Sequence, residues 1–311
     1  MNKEQARPLV TFALFAYNQE KYVREAVKSA LDQDYPNLEI ILSDDCSTDA
    51  TFEIISATVA EYAGTHDVVL NRNPVNVGLT RHVNEVIAKA KGEIVVMAAG
   101  DDISLPARVS KTVAMLDADP DATFASFTDT IIDKDGKVVG ESSEGKPVSV
   151  RKVTLDRYLA GGAPFLSGAS RGFRKKLFET FGELNPACPT EDTPTVLRGL
   201  MAGHALLSSE GGILYRRHGS NLSSPSSLHS MAFEEIKKQY LRDAEQALAS
   251  GLISEKTKRR VQAWAEKNHR RRELSSEFHR TSGRLKFVLF RLLPSRDFKL
   301  REKVGMLWRT I

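Results

Sequence analysis

The stretch VVMAAGDDISLP, Val95–Pro106, runs apolar residues through a small Ala-Gly step into two adjacent carboxylates, Asp101 and Asp102. Like charges that close resist joint ionisation. Either a cation or a hydroxyl-rich ligand meets them, or they are ordinary turn and helix-cap residues, where Asp is common. A second pair, Asp44-Asp45, follows the apolar run Leu38–Leu42, and Tyr17-Asn18 ends a third run that begins at Pro8. The two cysteines, Cys46 and Cys188, are too few for a disulfide framework or a Cys-based zinc site.

The elements that must carry these residues follow from periodicity. PLVTFALFAYN reads as a buried strand, and Tyr22, Val23, Ala26, Val27, Ala30 and Leu31 then recur at helical spacing. A second strand covers Leu38–Leu42, and Ser47, Thr48 and Asp49 are placed to cap a helix over Thr51–Tyr62. DVVLNRN is a third strand, and GLTRHVNEVIAKAKG a helix with Gly92 as its C-cap. EIVVMAAGDD is a fourth strand, and PARVSKTVAMLDADP a helix with Pro near its start. Four strand–helix alternations without a hairpin signal imply βαβ units and a mostly parallel sheet. Ligands of such sheets bind outside the carboxyl ends of the strands. The three polar clusters fall at those ends.

Beyond Ala122 the pattern is less regular. Two strands are expected around the turn Asp135-Gly136. Gly, Pro and Ser are dense from Gly161 to Gly172. A helix is expected over Thr193–Ala202, a strand over Ile213–Arg217, a linker over Ser223–Ser227, and helices over Met231–Ser250 and Glu255–Phe278.

The chain has 311 residues, 41% hydrophobic and 27% charged, an ordinary mix for a folded α/β protein. The net charge of +4 is unevenly spread. From Met231 onward there are 20 Lys and Arg against 10 Asp and Glu, a surplus of +10, which leaves −6 for the first 230 residues. An acidic body with a basic tail points the tail toward an anionic surface. No leader peptide is expected, and no run approaches the roughly 18–20 apolar residues that span a bilayer. A reducing, cytoplasmic setting is the expectation.

PLVTFALFAYNQEKYVREAVKSALDQDYPNLEIILSDDCSTDAT resembles the opening of family 2 glycosyltransferases, and the resemblance continues through NVGLTRHVNEVIAKAKGEIVVMAAGDDISLPARV. It resumes at TEDTPTVLRGL and YRRHGSNLS, and so covers about residues 8–222. The resemblance implies the A-type glycosyltransferase fold: an α/β architecture on a Rossmann-like, mostly parallel sheet, here with a C-terminal helical extension. It divides the chain into a catalytic domain over 1–222 and a basic helical extension over 223–311. Within the former, about 1–120 would bind the nucleotide-sugar and about 121–222 the acceptor. It further implies an inverting transfer of sugar from a nucleotide-diphospho-sugar to a hydroxyl of a saccharide or lipid-linked acceptor, in bacterial surface polysaccharide synthesis.

The resemblance also carries residue roles. Asp45 matches the nucleobase position, and Tyr17 at the neighbouring strand end would flank base or ribose; Asp44 suits either the nucleotide or a turn cap. Cys46 stands where the family usually has Gly, a place where a small side chain fits. Asp101 and Asp102 match the Asp-x-Asp motif that holds Mg²⁺ or Mn²⁺ against the diphosphate, except that the motif's first Asp is Ala99. Asp101 is then expected at the ribose or metal and Asp102 at the metal. Glu191-Asp192 matches the Glu-Asp motif at a helix start. Asp192 would be the base that takes the acceptor proton, although both acids also suit a helix N-terminus as such. His218 matches a position that reaches metal or pyrophosphate, and Arg216 and Arg217 suit either phosphate or solvent. The Gln-x-x-Arg-Trp motif of processive synthases is absent, so single addition is expected.

The tail segment SGRLKFVLFRLLPSRDFKLREKVGMLWRTI interleaves apolar and basic residues. It suits an anionic membrane face, with the protein peripheral at the inner side of the cell membrane, and equally suits packing on the body or in a dimer. It has no nucleic-acid-binding motif. Two other readings stay open. One is a catalytically degenerate scaffold that binds glycan or nucleotide. The other is a sugar nucleotidyltransferase, against which FAYNQEKY stands where a Gly-rich phosphate loop would be needed. A dehydrogenase is excluded by the missing G-x-G-x-x-G.

Overall fold

The computed structural model describes residues 7–139, 147–164, 166–219, 221, 231–281, 291, 293–295, 297–300 and 302–304. The chain divides into two compact units, 1–218 and 219–311.

The first unit begins with β1 (Val10–Ala16), α1 (Val23–Leu31), β2 (Leu38–Asp44), α2 (Thr51–Ala60), β3 (Asp67–Arg72), α3 (Leu79–Lys89) and β4 (Ile94–Ala99). β1 lies between β2 and β4 and runs parallel to both, and β3 continues in parallel on β2. Every residue of β1 and β2 is buried. Strands covered on both faces read as near-continuous apolar runs, the pattern these two show apart from Thr11 and from Glu39, Ser43 and Asp44. α1 turns Val23, Ala26, Val27, Ala30 and Leu31 into the core. Each fully buried large side chain there, Phe12 or Ile40 for example, contributes about 1.5–3 kcal/mol. β3 is the half-exposed edge strand, with Asp67 and Arg72 at its ends, charges that discourage further pairing. Because the four strands are parallel, the residues after Ala16, Asp44 and Ala99 emerge along one edge.

The rest of the unit comprises β5 (Ile103–Ser104), α4 (Arg108–Ala118), β6 (Ala122–Ile132), β7 (Val150–Thr154), α5 (Leu155–Leu159), β8 (Gly172–Arg174), α6 (Lys176–Phe181), α7 (Asp192–Ala202) and β9 (His204–Arg216). One sheet runs β3-β2-β1-β4-β8-β6-β9-β5, with β7 also on β9. The short β8 is antiparallel to both β4 and β6 and joins the halves. β9 runs parallel to β6 with register shifts around Thr128.

Several expectations change here. The strand expected from Ile213 begins at His204, because its polar middle, Ser-Ser-Glu-Gly-Gly, passes through that irregular register. After the Asp135-Gly136 turn, with Gly136 at φ +84°, the second strand reduces to one bridge between Ile132 and Val138. Gly92 is not a helix cap: α3 already ends at Lys89 with Ala90 as its cap. A Cβ on Gly92 would stand 2.3 Å from the Thr11 backbone nitrogen, so glycine allows this loop to close against β1. None of Ser47, Thr48 and Asp49 is the N-cap of α2: that residue is Ala50, which offers no side-chain bond, and Asp49 one residue earlier accepts from the Thr51 amide at 3.0 Å.

The described residues of the second unit include the helices Phe233–Ala249 and Glu255–Arg280, with the Tyr240 and Trp264 rings 5.2 Å apart. The linker expected over Ser223–Ser227 and most of the basic tail lie outside the described residues. No described helix is long and apolar enough to cross a membrane.

Candidate active site

The ends of β1 and β2 are zipped together by side chains. Asn18 and Cys46 both adopt left-handed backbone, at φ +51° and +59°, a region that costs a residue with a Cβ. The Asn18 amide donates to Ser47 Oγ at 2.8 Å, and Asn18 Oδ1 accepts from the Thr48 amide at 2.9 Å. Asp44 is fully buried beneath them, accepting from the Ser47 amide at 3.0 Å and from its hydroxyl. Asp44 therefore acts in the turn. Asp45 is also buried, but faces the segment after β3. It accepts from Asn73 Nδ2 at 2.8 Å and from the Val77 and Gly78 amides at 3.0 and 2.9 Å. It thereby fixes the entry to α3 and keeps at most one acceptor direction for a further partner. Tyr17 is 46% exposed at the rim.

Cys46 fits the available space, but not without strain. Cys46→Gly is expected to stabilise the protein by about 0.5–1 kcal/mol, the left-handed penalty less the entropy glycine loses on folding. That would raise the melting temperature by about 1–4 °C, read by scanning calorimetry.

At the end of β4, Gly100 turns the chain, its amide donating to the Phe15 carbonyl at 2.9 Å. Asp102 Oδ1 accepts the Arg216 amide at 2.8 Å, whereas Oδ2 is buried with no hydrogen-bond partner. Asp101 Oδ2 lies 2.9 Å from His218 Nε2, and the Asp101 carbonyl accepts from Arg216 Nε at 3.0 Å. His218 stacks on Tyr22 at 4.8 Å, and the Arg216 guanidinium sits 4.9 Å over the same ring. Arg216 is 2% exposed and also pairs with Glu25. It is thus neither a phosphate ligand nor a solvated side chain: it ties the end of β9 to the acidic pair. Arg217 is exposed. Burial, and then the neighbouring Asp101, push the Asp102 carboxyl well above the usual carboxylate range.

That orphaned oxygen is the test of whether a divalent cation fits. Among the described residues no three His, Cys, Asp or Glu side chains form a cation cage. Mg²⁺ and its relatives do not require one, since they bind through one or two carboxylates and complete the shell with water and substrate phosphate. A hard, unpartnered carboxylate oxygen beside a second carboxylate and an imidazole meets that need.

Glu191 and Asp192 open α7. Asp192 Oδ1 accepts from Thr190 Oγ1 and from the Thr193 amide, both at 2.5 Å. Its Oδ2 has no hydrogen bond among the described residues, and a Cβ on Gly168 would stand 3.4 Å from it. Glu191 spends its backbone carbonyl on Thr195, at 3.1 Å to the amide, while burial and then Asp192 raise its side-chain carboxyl to about 7. A carboxyl raised from 4.5 binds its proton more tightly folded than unfolded. Stability should therefore fall as pH climbs from about 4.5 through about 7. Glu191→Gln is expected to flatten that decline, seen as a smaller loss of melting temperature between pH 5 and pH 8.

Three charged residues at this edge carry no motif and were missed by sequence reasoning. Arg108 is 1% exposed and reaches the carbonyls of Met97 at 2.5 Å, Ala169 at 2.8 Å and Arg171 at 3.4 Å. Burial lowers its guanidinium to about 10, while Asp102 and Asp129 act to raise it. Arg171 is equally buried, and Asp129, on β6, has a buried Oδ1 without a partner. Asp102 interacts with Arg108, Arg108 with Asp129, Asp129 with Arg171 and Arg171 with Asp192. The structure thus brings Asp101 into contact with His218, sets Asp102 next to Asp101 on the Arg216 amide, connects Asp192 to Asp102 through buried charges, and leaves Tyr17 and Asp45 at the adjacent strand ends.

A parallel Rossmann-like half, joined by an antiparallel strand to a mixed half with acidic pairs at the strand ends, defines an A-type glycosyltransferase fold. The same fold occurs in Staphylococcus aureus TarS in complex with UDP-GlcNAc, at TM-score 0.64 and 20% identity over 95% of this chain and 77% of that one. It occurs again in the Pyrobaculum calidifontis mannosyltransferase PcManGT in complex with GDP-Man and Mn²⁺, at TM-score 0.60 and 17% identity over 98% and 80%. The chain belongs to glycosyl transferase family 2, whose model matches residues 11–182. An uncharacterized protein of Mycobacterium tuberculosis is 30% identical over 67% of this chain and 58% of its own length. The succinoglycan biosynthesis protein ExoO of Rhizobium meliloti is 29% identical over 55% and 48%. The chain thus spans about half the length of these curated relatives.

Proposed function

We propose that this chain is an inverting glycosyltransferase. It would move a sugar from a nucleotide-diphospho-sugar to a hydroxyl of a saccharide or lipid-linked acceptor in bacterial surface polysaccharide synthesis. The observation that carries the reading is the buried, unpartnered Asp102 Oδ2 beside Asp101 and His218, linked through buried charges to Asp192. The name of ExoO supports the polysaccharide context, and the complexes of TarS and PcManGT support a nucleotide-sugar donor.

In this reading Tyr17 flanks the base or ribose and Asp45 offers its remaining acceptor direction to the base. Asp101 would hold the ribose or the metal, and Asp102 with His218 would hold Mg²⁺ or Mn²⁺. When bound, that ion offsets the charge of the departing diphosphate. Arg216 keeps Asp101 and Asp102 in register with β9. Asp192 takes the proton of the acceptor hydroxyl as it attacks the face opposite the diphosphate, which is what inversion requires. Its committed Oδ1 fixes the carboxylate and leaves Oδ2 for the proton. The basic tail, over Ser282–Ile311, would hold the protein at an anionic membrane face where lipid-linked acceptors reside.

The reading is tested by calorimetric titration of UDP, GDP, CDP and dTDP, each with Mn²⁺ and with EDTA. Metal-dependent binding of one nucleotide is the expected result. Absence of binding by all four would favour the degenerate scaffold instead.

A further inference from the structure

The segment Leu166–Arg171 has no regular structure before β8, yet two buried guanidiniums grip it. Arg108 takes the carbonyls of Ala169 and Arg171 together with Met97 on β4, the strand that leads to Asp101 and Asp102. Arg171 takes the Leu166 carbonyl through Nη2 and the Asp192 backbone carbonyl through Nη1, each at 2.7 Å. Ser170 fastens the segment to β6, its hydroxyl donating to the Phe127 carbonyl at 2.9 Å.

Arg171 is a costly device for holding a turn. It is 2% exposed, and its Nε is buried without a partner. Burying a guanidinium is unfavourable unless charge faces it, and a neutral side chain could serve two carbonyls. The charges that face Arg171 are Asp192 and Glu191 from α7 and Asp129 from β6, together with Tyr158 from α5. Arg108, from α4, meets Asp129 from its other side. The guanidinium thus sets a fixed positive charge between the segment and the start of α7, facing these carboxylates. The fork fixes place as well as charge, and the segment leaves room for the side chain it positions: a methyl group on Gly168 would stand only 3.2 Å from Asp192 Cβ.

We propose that Arg171 is a positioning residue for Asp192, holding the start of α7 through its guanidinium fork and supplying the positive charge that faces the carboxylate. This rests on the reading of Asp192 as the base. No family motif marks Arg171; it lies in the small-residue stretch Gly161–Gly172.

The test follows release of nucleoside diphosphate from UDP-glucose, UDP-N-acetylglucosamine or GDP-mannose, whichever the wild-type protein hydrolyses, from pH 5.5 to 9. Arg171→Met is expected to lower kcat about 30–100-fold and leave donor KM within about twofold. Arg171→Lys keeps the charge but loses the fork. It should recover part of the loss, with kcat about five- to tenfold low. A folded Arg171→Met protein with wild-type kcat would overturn the proposal, and so would a loss that falls on KM instead of kcat. If that variant does not fold, wild-type kcat in Arg171→Lys would overturn the positioning by the fork. Wild-type turnover in Asp192→Asn overturns the base reading itself; an inactive Asp192→Asn beside wild-type kcat in Arg171→Met overturns only the inference made here.

Discussion

Asp192→Asn should lower kcat by about 10²–10⁴-fold, the range a positioned general base supplies, while nucleotide affinity stays within about twofold. The substitution is nearly isosteric. Its side-chain oxygen can still accept from Thr190 Oγ1 and the Thr193 amide, so the start of α7 is kept. The Arg171 bond goes to the backbone carbonyl and survives as well. What is lost is the oxygen that takes a proton. Glu191 is the rival, with its carboxyl raised to about 7 by burial and by Asp192. At neutral pH it is part protonated and thus a weaker candidate for starting the reaction as an anion. The two can be separated by kinetics. If Asp192→Asn keeps its turnover and Glu191→Gln loses it, the base has been assigned one residue too late.

The parallel half of the fold was legible because buried central strands leave apolar runs with few interruptions, Thr11 in β1 and Glu39 in β2. β1 and β2 are buried at every position, and the helix between them, α1, shows one inward stripe. β5 and β8, with two and three residues, are too short to carry a period, and β7 keeps only Val153 buried. Such strands are made by their partners rather than by their own pattern. The site divides in the same way. Acidic residues at strand ends could be placed from the sequence because parallel topology fixes where strand ends go. Arg108, Arg171 and Arg216 could not, because each is polar in sequence and 1–2% exposed in the structure. An Arg in the first turn of a helix reads as solvated. Its burial depends on carbonyls about 60 residues away, as with Arg108 and the segment before β8. Cys46 was legible as a departure from the family's Gly, but its left-handed backbone was not.

Asp102→Asn should move stability and binding in opposite directions. In the free protein Asp102 is a buried carboxyl whose charged form is disfavoured by burial and by Asp101. Oδ1 is satisfied by the Arg216 amide, and only Oδ2 lacks a partner. Asparagine keeps the first bond and removes the charge. The free protein is therefore expected to gain about 0.5–2 kcal/mol, or several degrees in melting temperature. The same change removes a hard anionic ligand, so nucleotide binding in Mn²⁺ should weaken at least about 10²-fold, the scale at which a lost ligand is felt. Residual binding in EDTA should be unchanged, because Tyr17 and Asp45 sit at other strand ends. A purely structural Asp102 makes a different prediction: Asn would satisfy Arg216 equally well, and Mn²⁺-dependent binding would stay at its wild-type value. A gain in melting temperature with unaltered Mn²⁺-dependent binding would place the cation elsewhere and leave the acidic pair as a strained turn. The opposed signs are what a carboxylate held unpartnered for a ligand must give, since the ligand supplies the interaction that the fold withholds.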